Sequence, residues 1–283
     1  MPDPTFLATA VEIVLRAGEI QLARRDQGFS ISKKGVRDLV TEVDFECERM
    51  CRAAIAERFP DHDVLAEELG AGESTRSASR WRWVFDPLDG TTNYAHGLPI
   101  FCSSLGLEID GRTECGAVYD PTRRELFTAV RGGGAQLNGK ALAVSDASTL
   151  IDALIVTGFP YDVHQDTGDL VDLFGAFLAR ARAVRRLGSA ALDLCYVACG
   201  RYDGYWEFNL NPWDTAAGTL IVEEAGGKIS DFRGGPFQIA SREVCASNGL
   251  LHPALLKEFQ AIFEGRGLEE LPSPVEYERT RLS

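Results

Sequence analysis

No apolar run in the sequence approaches the roughly 18 residues that a membrane-crossing helix needs. Met1 to Thr9 also lacks a basic stretch followed by an apolar segment and a small-residue cleavage site. No membrane association is expected, and a cytoplasmic location is. Basic residues are in deficit: 29 Lys and Arg stand against 42 Asp and Glu, for a net charge of −13. Such a surface repels nucleic-acid phosphates, so direct nucleic-acid binding is disfavoured. An anionic small molecule would need local cations, which makes a metal site worth seeking. The 7 cysteines show neither the paired spacing of a zinc site nor a compact disulfide framework, so reduced thiols are expected. The 4 histidines form no short metal-binding pair, and no repeat or low-complexity tract is present.

What remains is an ordinary globular mixture, 45% hydrophobic and 25% charged over 283 residues, enough for one large domain or two ordinary ones. Asp3-Pro4 is an N-cap and first-turn proline, and Leu7, Val11, Val14, Leu15, Gly18 and Leu22 recur on one helical face behind it. Thr41 and Asp44 form a possible capping box ahead of a second helix. From about Asp63 to Leu137, short β-rich runs alternate with turns at Asp110-Gly111 and Asp120-Pro121, which predicts an antiparallel meander. After Gly139, strands alternate with helices, the pattern of an α/β unit. The expected division is 1–145 and 146–264, with a polar tail over 265–283.

The most informative segment runs Trp81-Arg82-Trp83-Val84-Phe85-Asp86-Pro87-Leu88-Asp89-Gly90-Thr91-Thr92. An aromatic, β-prone run delivers Asp86 to a strand end, Pro87 stiffens the turn, and Gly90 lets backbone approach a ligand. Two carboxylates beside a tight bend suit Mg²⁺, which takes hard oxygen ligands. An Asp-Pro turn followed by a Thr N-cap explains the same residues without a metal. Glu67 and Glu68 follow a predicted strand, where one could meet a ligand while the other faces its surroundings or solvent; taken alone, the pair reads better as a solvated acidic loop. Asp214, in Asn211-Pro212-Trp213-Asp214, has a first-turn explanation. Its setting between a buried Trp213 and the small Ala216-Ala217-Gly218 face is nevertheless unusual for an unpaired acid. Asp44 reads first as the cap, and alternatively as a base acting on water and a threonine hydroxyl.

Taken together, Asp86-Pro87-Leu88-Asp89-Gly90-Thr91-Thr92, the upstream Ala66-Glu67-Glu68 and the downstream Trp213-Asp214-Thr215-Ala216-Ala217-Gly218 resemble the inositol monophosphatase family. The likeness extends from Lys33 and Asp44 to Glu223-Glu224-Ala225-Gly226-Gly227. Arg186-Leu187-Gly188-Ser189-Ala190-Ala191-Leu192-Asp193 and Tyr205-Trp206-Glu207-Phe208 are similar to its bacterial inositol-1-monophosphatase branch. The resemblance implies an α+β fold, a layered αβαβα sandwich of the sugar-phosphatase type, with an antiparallel N-terminal half and an α/β C-terminal half. It also implies magnesium-dependent hydrolysis of a phosphate monoester by a lithium-sensitive homodimer holding two or three Mg²⁺ ions per site.

By motif position, the implied metal ligands are Glu67, Asp86, the Leu88 carbonyl, Asp89 and Asp214. Asp44, Glu67 and Thr91 would orient or activate the attacking water. The implied substrate contacts are Lys33, Asp89, Gly90, Thr91, Thr92, Gly188, Ser189, Ala190, Glu207 and Asp214, with Lys34 leaving the lysine register open. Ala66 stands where the family usually has glycine. The alternatives are a phosphatase for another sugar or amino-alcohol phosphate, such as fructose-1,6-bisphosphate or histidinol phosphate, and a transcription or RNA-processing regulator that retains the fold. An RNA polymerase partner is conceivable under the last reading.

Overall fold

A computed structural model describes residues 3–34, 38–71, 79–161, 163 and 168–266; the tail beyond Arg266 lies outside them. Helix α1 (Pro4–Gln27) begins where Asp3 Oδ1 accepts the Thr5 amide at 2.9 Å, which satisfies one of the free amides of a helix start. The hairpin β1 (Ile31–Lys33) and β2 (Leu39–Thr41) leads into α2 (Glu42–Arg58), started by the expected Thr41/Asp44 capping box.

The first sheet contains β3 (Asp63–Ala66), β4 (Gly70–Ala71), β5 (Trp81–Asp89), β6 (Cys102–Ile109), β7 (Arg112–Asp120), β8 (Glu125–Val130), β9 (Gly134–Leu137) and β10 (Lys140–Ala141), in the order β10-β9-β8-β7-β6-β5-β3-β4. From β5 to β10 it is the antiparallel meander expected. The β3–β5 pair is parallel instead, so the two segments that carry Glu67 and Asp86 emerge at the same sheet end. A second correction concerns β5, which does not stop at Phe85 but runs on to Asp89, with a register shift against β6 between Asp86 and Asp89. That irregularity accommodates Pro87, which has no amide to give a regular ladder.

The short α3 (Thr91–Ala95) follows β5. The second sheet contains β11 (Leu154–Thr157), β12 (Ala183–Arg185), β13 (Gly204–Phe208), β14 (Lys228–Ser230) and β15 (Glu243–Ser247), ordered β12-β11-β13-β15-β14. The pairs of β11 with β12 and with β13 are parallel; those of β15 are antiparallel. Helices α4 (Gly168–Arg180), α5 (Ala190–Ala198), α6 (Pro212–Glu224) and α7 (His252–Phe263) complete the fold.

Three apolar interiors stack these elements into five layers. The first lies between α1, α2 and the first sheet, around Ile13, Cys47 and Trp83. The second lies around α5 and α6, between the two sheets. The third joins the second sheet to α4 and α7, around Phe177, Trp206 and Phe259. Every residue of α5 is buried, as a helix enclosed on all sides requires. A Cβ at Gly106 or Gly116 would lie 3.0 Å or 2.9 Å from Ala216 or Ala217, and one at Gly218 would lie 2.7 Å from Leu194. These small residues let α6 pack closely, which sets the place of Asp214 in its first turn.

Candidate active site

The register shift in β5 shapes the first half of the site. Asp86 Oδ1 accepts the Leu88 amide at 2.9 Å across the proline, and Thr91 Oγ1 lies 2.9 Å from the Leu88 carbonyl. Gln21 of α1 donates from Nε2 to the Pro87 carbonyl at 2.8 Å, tying the bend to the helix layer. Gly90 sits in the left-handed region at φ 94°, where a Cβ would come within 2.8 Å of the Ile100 carbonyl. Glycine is therefore needed there on both conformational and steric grounds.

The remaining acids lie against two helix starts. Asp89 accepts Ser189 Oγ at 2.7 Å and the Ala191 and Ala190 amides at 2.7 Å and 3.2 Å, at the N-terminus of α5. Asp214, in the first turn of α6, accepts the Asn211 amide on Oδ2 at 2.6 Å. Asp44 forms the expected cap and also reaches the site: Oδ2 takes the Thr41 amide at 2.8 Å, while Oδ1 lies 3.3 Å from Thr91 Oγ1. The cap and the contact to the site use different oxygens.

Glu67, Asp86, Leu88, Asp89, Gly90, Thr91, Gly188, Ser189, Ala190, Glu207 and Asp214 all line one cavity of about 270 Å³. Thr92 follows Thr91 in α3 but does not line it, and His96 is exposed and outside it. Trp213 does line the cavity and is only partly buried, a correction to the expectation of a buried side chain. Lys33 is exposed in β1 and makes no contact with the cluster. Lys34 does: its Nζ lies 2.8 Å from Glu67 Oε1 and also bonds Glu68 Oε1. Lys34 is the first residue past β1 and is the one that reaches both glutamates, so the lysine of the site is the second of the pair. Sequence reasoning also gave no role to Arg186, Phe159, Pro160 and Tyr161, which line the cavity. Arg186 stands two residues before Gly188, inside a segment that was already distinctive.

The electrostatics describe a site short of positive charge. Burial raises the Asp86 carboxyl well above its ordinary range, and the neighbouring Glu67, Asp89 and Asp214 push it further. Asp214 is raised by burial and by Asp89, Glu67 and Glu207, against the Asn211 amide. Asp89 is raised by burial despite its hydrogen bonds from Ser189, Ala191 and Ala190. Glu67 is pushed up to about 7 by burial, with Lys34 opposing. Burial disfavours the Lys34 charge, but Glu67 and Glu68 outweigh it and raise the ammonium pKa.

Among the described residues no three acidic, histidine or cysteine side chains already form a metal cage. The carboxylates are turned to protein donors instead. The donor chemistry nevertheless fits a hard divalent cation: four carboxylates and a backbone carbonyl on one cavity, desolvated and mutually repelling, with Lys34 contacting only one of the four. A cation would relieve the repulsion that the fold itself imposes. Cys102 Sγ lies 3.7 Å from Asp89 Oδ2, but burial raises its pKa well above the thiol range, so it is no nucleophile. All seven cysteines are free.

The sequence pattern of the inositol monophosphatase family matches residues 3–264. The chain belongs to the inositol monophosphatase family. It is 46% identical over 253 residues to the Nus factor SuhB of Escherichia coli K12, covering 89% of this chain and 94% of that protein. It is 42% identical over 258 residues to the inositol-1-monophosphatase of Synechocystis, covering 91% of this chain and 89% of that protein. The solved inositol monophosphatase of Anabaena superposes with a TM-score of 0.81 at 40% identity, covering 90% of this chain and 95% of that one. Membership agrees with the layered sandwich and with phosphate-ester hydrolysis as the reading of the site. Among the described residues, no helix is long and apolar enough to cross a membrane.

Proposed function

We propose that this protein hydrolyses inositol monophosphate or a similar polyol phosphate monoester with the help of Mg²⁺. The observation that carries the reading is the convergence of Glu67, Asp86, Asp89 and Asp214 with Thr91 on one cavity that Glu207 and Arg186 also line. Glu67, Asp86 and the Leu88 carbonyl would hold one ion, and Asp86, Asp89 and Asp214 a second. When bound, Mg²⁺ neutralises phosphate charge and makes water more acidic.

The protein's own groups handle proton and alcohol. Thr91 Oγ1 stands between the Leu88 carbonyl and Asp44 Oδ1 and has one proton to donate. With that proton on the Asp44 side, an oxygen lone pair of Thr91 is free to accept from the attacking water. Burial raises the Asp44 carboxyl, with the Thr41 hydrogen bonds opposing, which makes it a better proton acceptor than an exposed aspartate. Water attacks phosphorus as its proton passes to the Thr91–Asp44 pair, the phosphorus–oxygen bond to the alcohol breaks, and the departing alkoxide takes a proton from a second water. Gly90 and, through its backbone at the start of α3, Thr92 are assigned to the phosphate, and Gly188, Ser189 and Ala190 to the alcohol side. Glu207 accepts the Tyr205 hydroxyl on Oε2 at 2.6 Å, which leaves Oε1 for a substrate hydroxyl.

A panel of phosphate esters assayed with Mg²⁺ and with EDTA tests the proposal. Metal-dependent release of phosphate from inositol monophosphate in preference to fructose-1,6-bisphosphate and histidinol phosphate is expected. Dominant turnover of a bisphosphate displaces the substrate assignment, and metal-independent turnover displaces the mechanism. Lithium inhibition, a homodimer and a cytoplasmic location accompany this reading. The likeness to a protein named a Nus factor favours a second, regulatory role beside catalysis. Copurification of RNA polymerase with the protein, compared with and without Mg²⁺, tests it.

A further inference from the structure

Gly158 follows β11, and its neighbour across the sheet is the site. Thr157 pairs with Trp206 on the parallel β13, so the next residues along, Gly158 and Glu207, come side by side. A Cβ at Gly158 would lie 2.1 Å from Glu207 Cδ and 2.1 Å from each carboxylate oxygen. No side chain fits there with Glu207 in its present place. The backbone does not ask for glycine, because Gly158 is not among the residues at positive φ. Space alone demands it.

The consequence of filling that space is directional. Thr157 Oγ1 donates to the Trp206 carbonyl at 2.8 Å and fixes the two strands. The backbone therefore resists, and the carboxylate, at the end of a flexible side chain, yields. Ordinary contact begins near 3.4 Å, so the carboxylate must retreat by more than about 1 Å, and the open direction is the cavity that Glu207 already lines. Gly188 gives Arg186 similar room, with a Cβ 2.5 Å from Nη1, but its φ of +83° adds backbone strain to any substitution. Gly158 is the position where space can be tested by itself.

We propose that Gly158 is a specificity-determining position: by having no side chain, it lets Glu207 stand back from the cavity and leaves room for a ring-sized polyol on the alcohol side of the phosphate. The proposal rests on the functional reading above. A methyl group at 158 drives the carboxylate into the volume of the ring, while the phosphate end of the site is untouched. Small monoesters, which do not reach Glu207, keep their turnover.

The experiment compares wild-type, Gly158→Ala, Glu207→Asp and Gly158→Ala/Glu207→Asp proteins, all with Mg²⁺, on inositol 1-phosphate and on glycerol 2-phosphate. Gly158→Ala should retain the wild-type melting temperature and raise KM for inositol 1-phosphate about tenfold, the scale of one misplaced methylene in a pocket. Its kcat/KM for glycerol 2-phosphate should stay within about twofold. The shorter acid of the double variant clears the new methyl and should recover at least about threefold of the lost affinity, a non-additivity that a merely structural role would not produce. Equal loss on both substrates, or no recovery, overturns the proposal. A crystal structure of Gly158→Ala gives a readout independent of turnover: the Glu207 carboxylate displaced toward the cavity supports the proposal, and an unmoved one overturns it. A wild type inactive on every ester refutes the functional reading, and the specificity claim falls with it, while the displacement of Glu207 stays measurable.

Discussion

Replacing Asp86 by asparagine should stabilise the metal-free protein and abolish its response to Mg²⁺. The side chain is 1% exposed, receives the Leu88 amide on one oxygen, and is pressed by burial and by Glu67, Asp89 and Asp214. Asparagine keeps the acceptor for Leu88 and removes the charge. Its amide protons can point to the carboxylates that Asp86 repels. An uncompensated buried polar group costs about 1–3 kcal/mol, and a protein of this size gains roughly 2–4 °C in Tm per kcal/mol. The variant should therefore melt about 2–12 °C higher than wild type at pH 8 in EDTA. The wild type should gain about 2.7 kcal/mol when Mg²⁺ reaches a hundred times its Kd, whereas the variant should gain less than about a third of that. Differential scanning calorimetry in EDTA and in Mg²⁺ reads both effects. A variant less stable than wild type in EDTA, yet still stabilised by Mg²⁺, would refute the reasoning, because Asp86 would then be a structural acceptor only.

Further outcomes follow from the same charges. Burial raises Glu207 from 4.5 to about 7, against the Tyr205 hydrogen bond. The folded protein thus binds more protons than the unfolded chain between those values, and metal-free stability should fall as pH rises from about 4.5 to about 7, then level off. The Glu207 share is at most on the order of 3 kcal/mol, and Glu207→Gln should flatten that part of a denaturant titration across pH. Lys34→Met removes the only described cation on Glu67 and Glu68 and should cost about 1–3 kcal/mol without metal. Lys33→Met, at an exposed position, should stay within about 0.5 kcal/mol. Equal effects of the two lysine variants in chemical denaturation would contradict the assignment of Lys34 to the site.

What could be read from the sequence was local. The Thr41/Asp44 capping box is a three-residue relation, and it stands in the structure with its hydrogen bonds. The Asp110-Gly111 reversal joins β6 to β7 as the turn chemistry requires, with both residues at positive φ. The parallel pairing of β3 with β5 was illegible because it is decided by which distant strand covers Trp83 and Phe85, and no periodicity encodes that. The continuation of β5 through Pro87 was illegible for a different reason: proline argues against a strand unless an irregularity accepts it, and that irregularity exists only in the pairing with β6. Within the site, the spacing of Asp86 and Asp89 drew attention to the bend. The choice of Lys34 over Lys33 depended on how a short hairpin faces Glu67. The need for glycine at 158 depended on where Glu207 ends, two strands meeting from points far apart in the chain.

The account turns on divalent cations gathered by four acids that approach from β3, β5 and α6. Anomalous diffraction from crystals soaked in Mn²⁺, at the manganese edge, tests this directly. Two peaks about 3.5 to 4 Å apart are predicted in the cavity, one against Glu67, Asp86 and the Leu88 carbonyl, the other against Asp86, Asp89 and Asp214. A cavity without a peak at saturating Mn²⁺, its carboxylates still turned to their protein donors, would contradict the account.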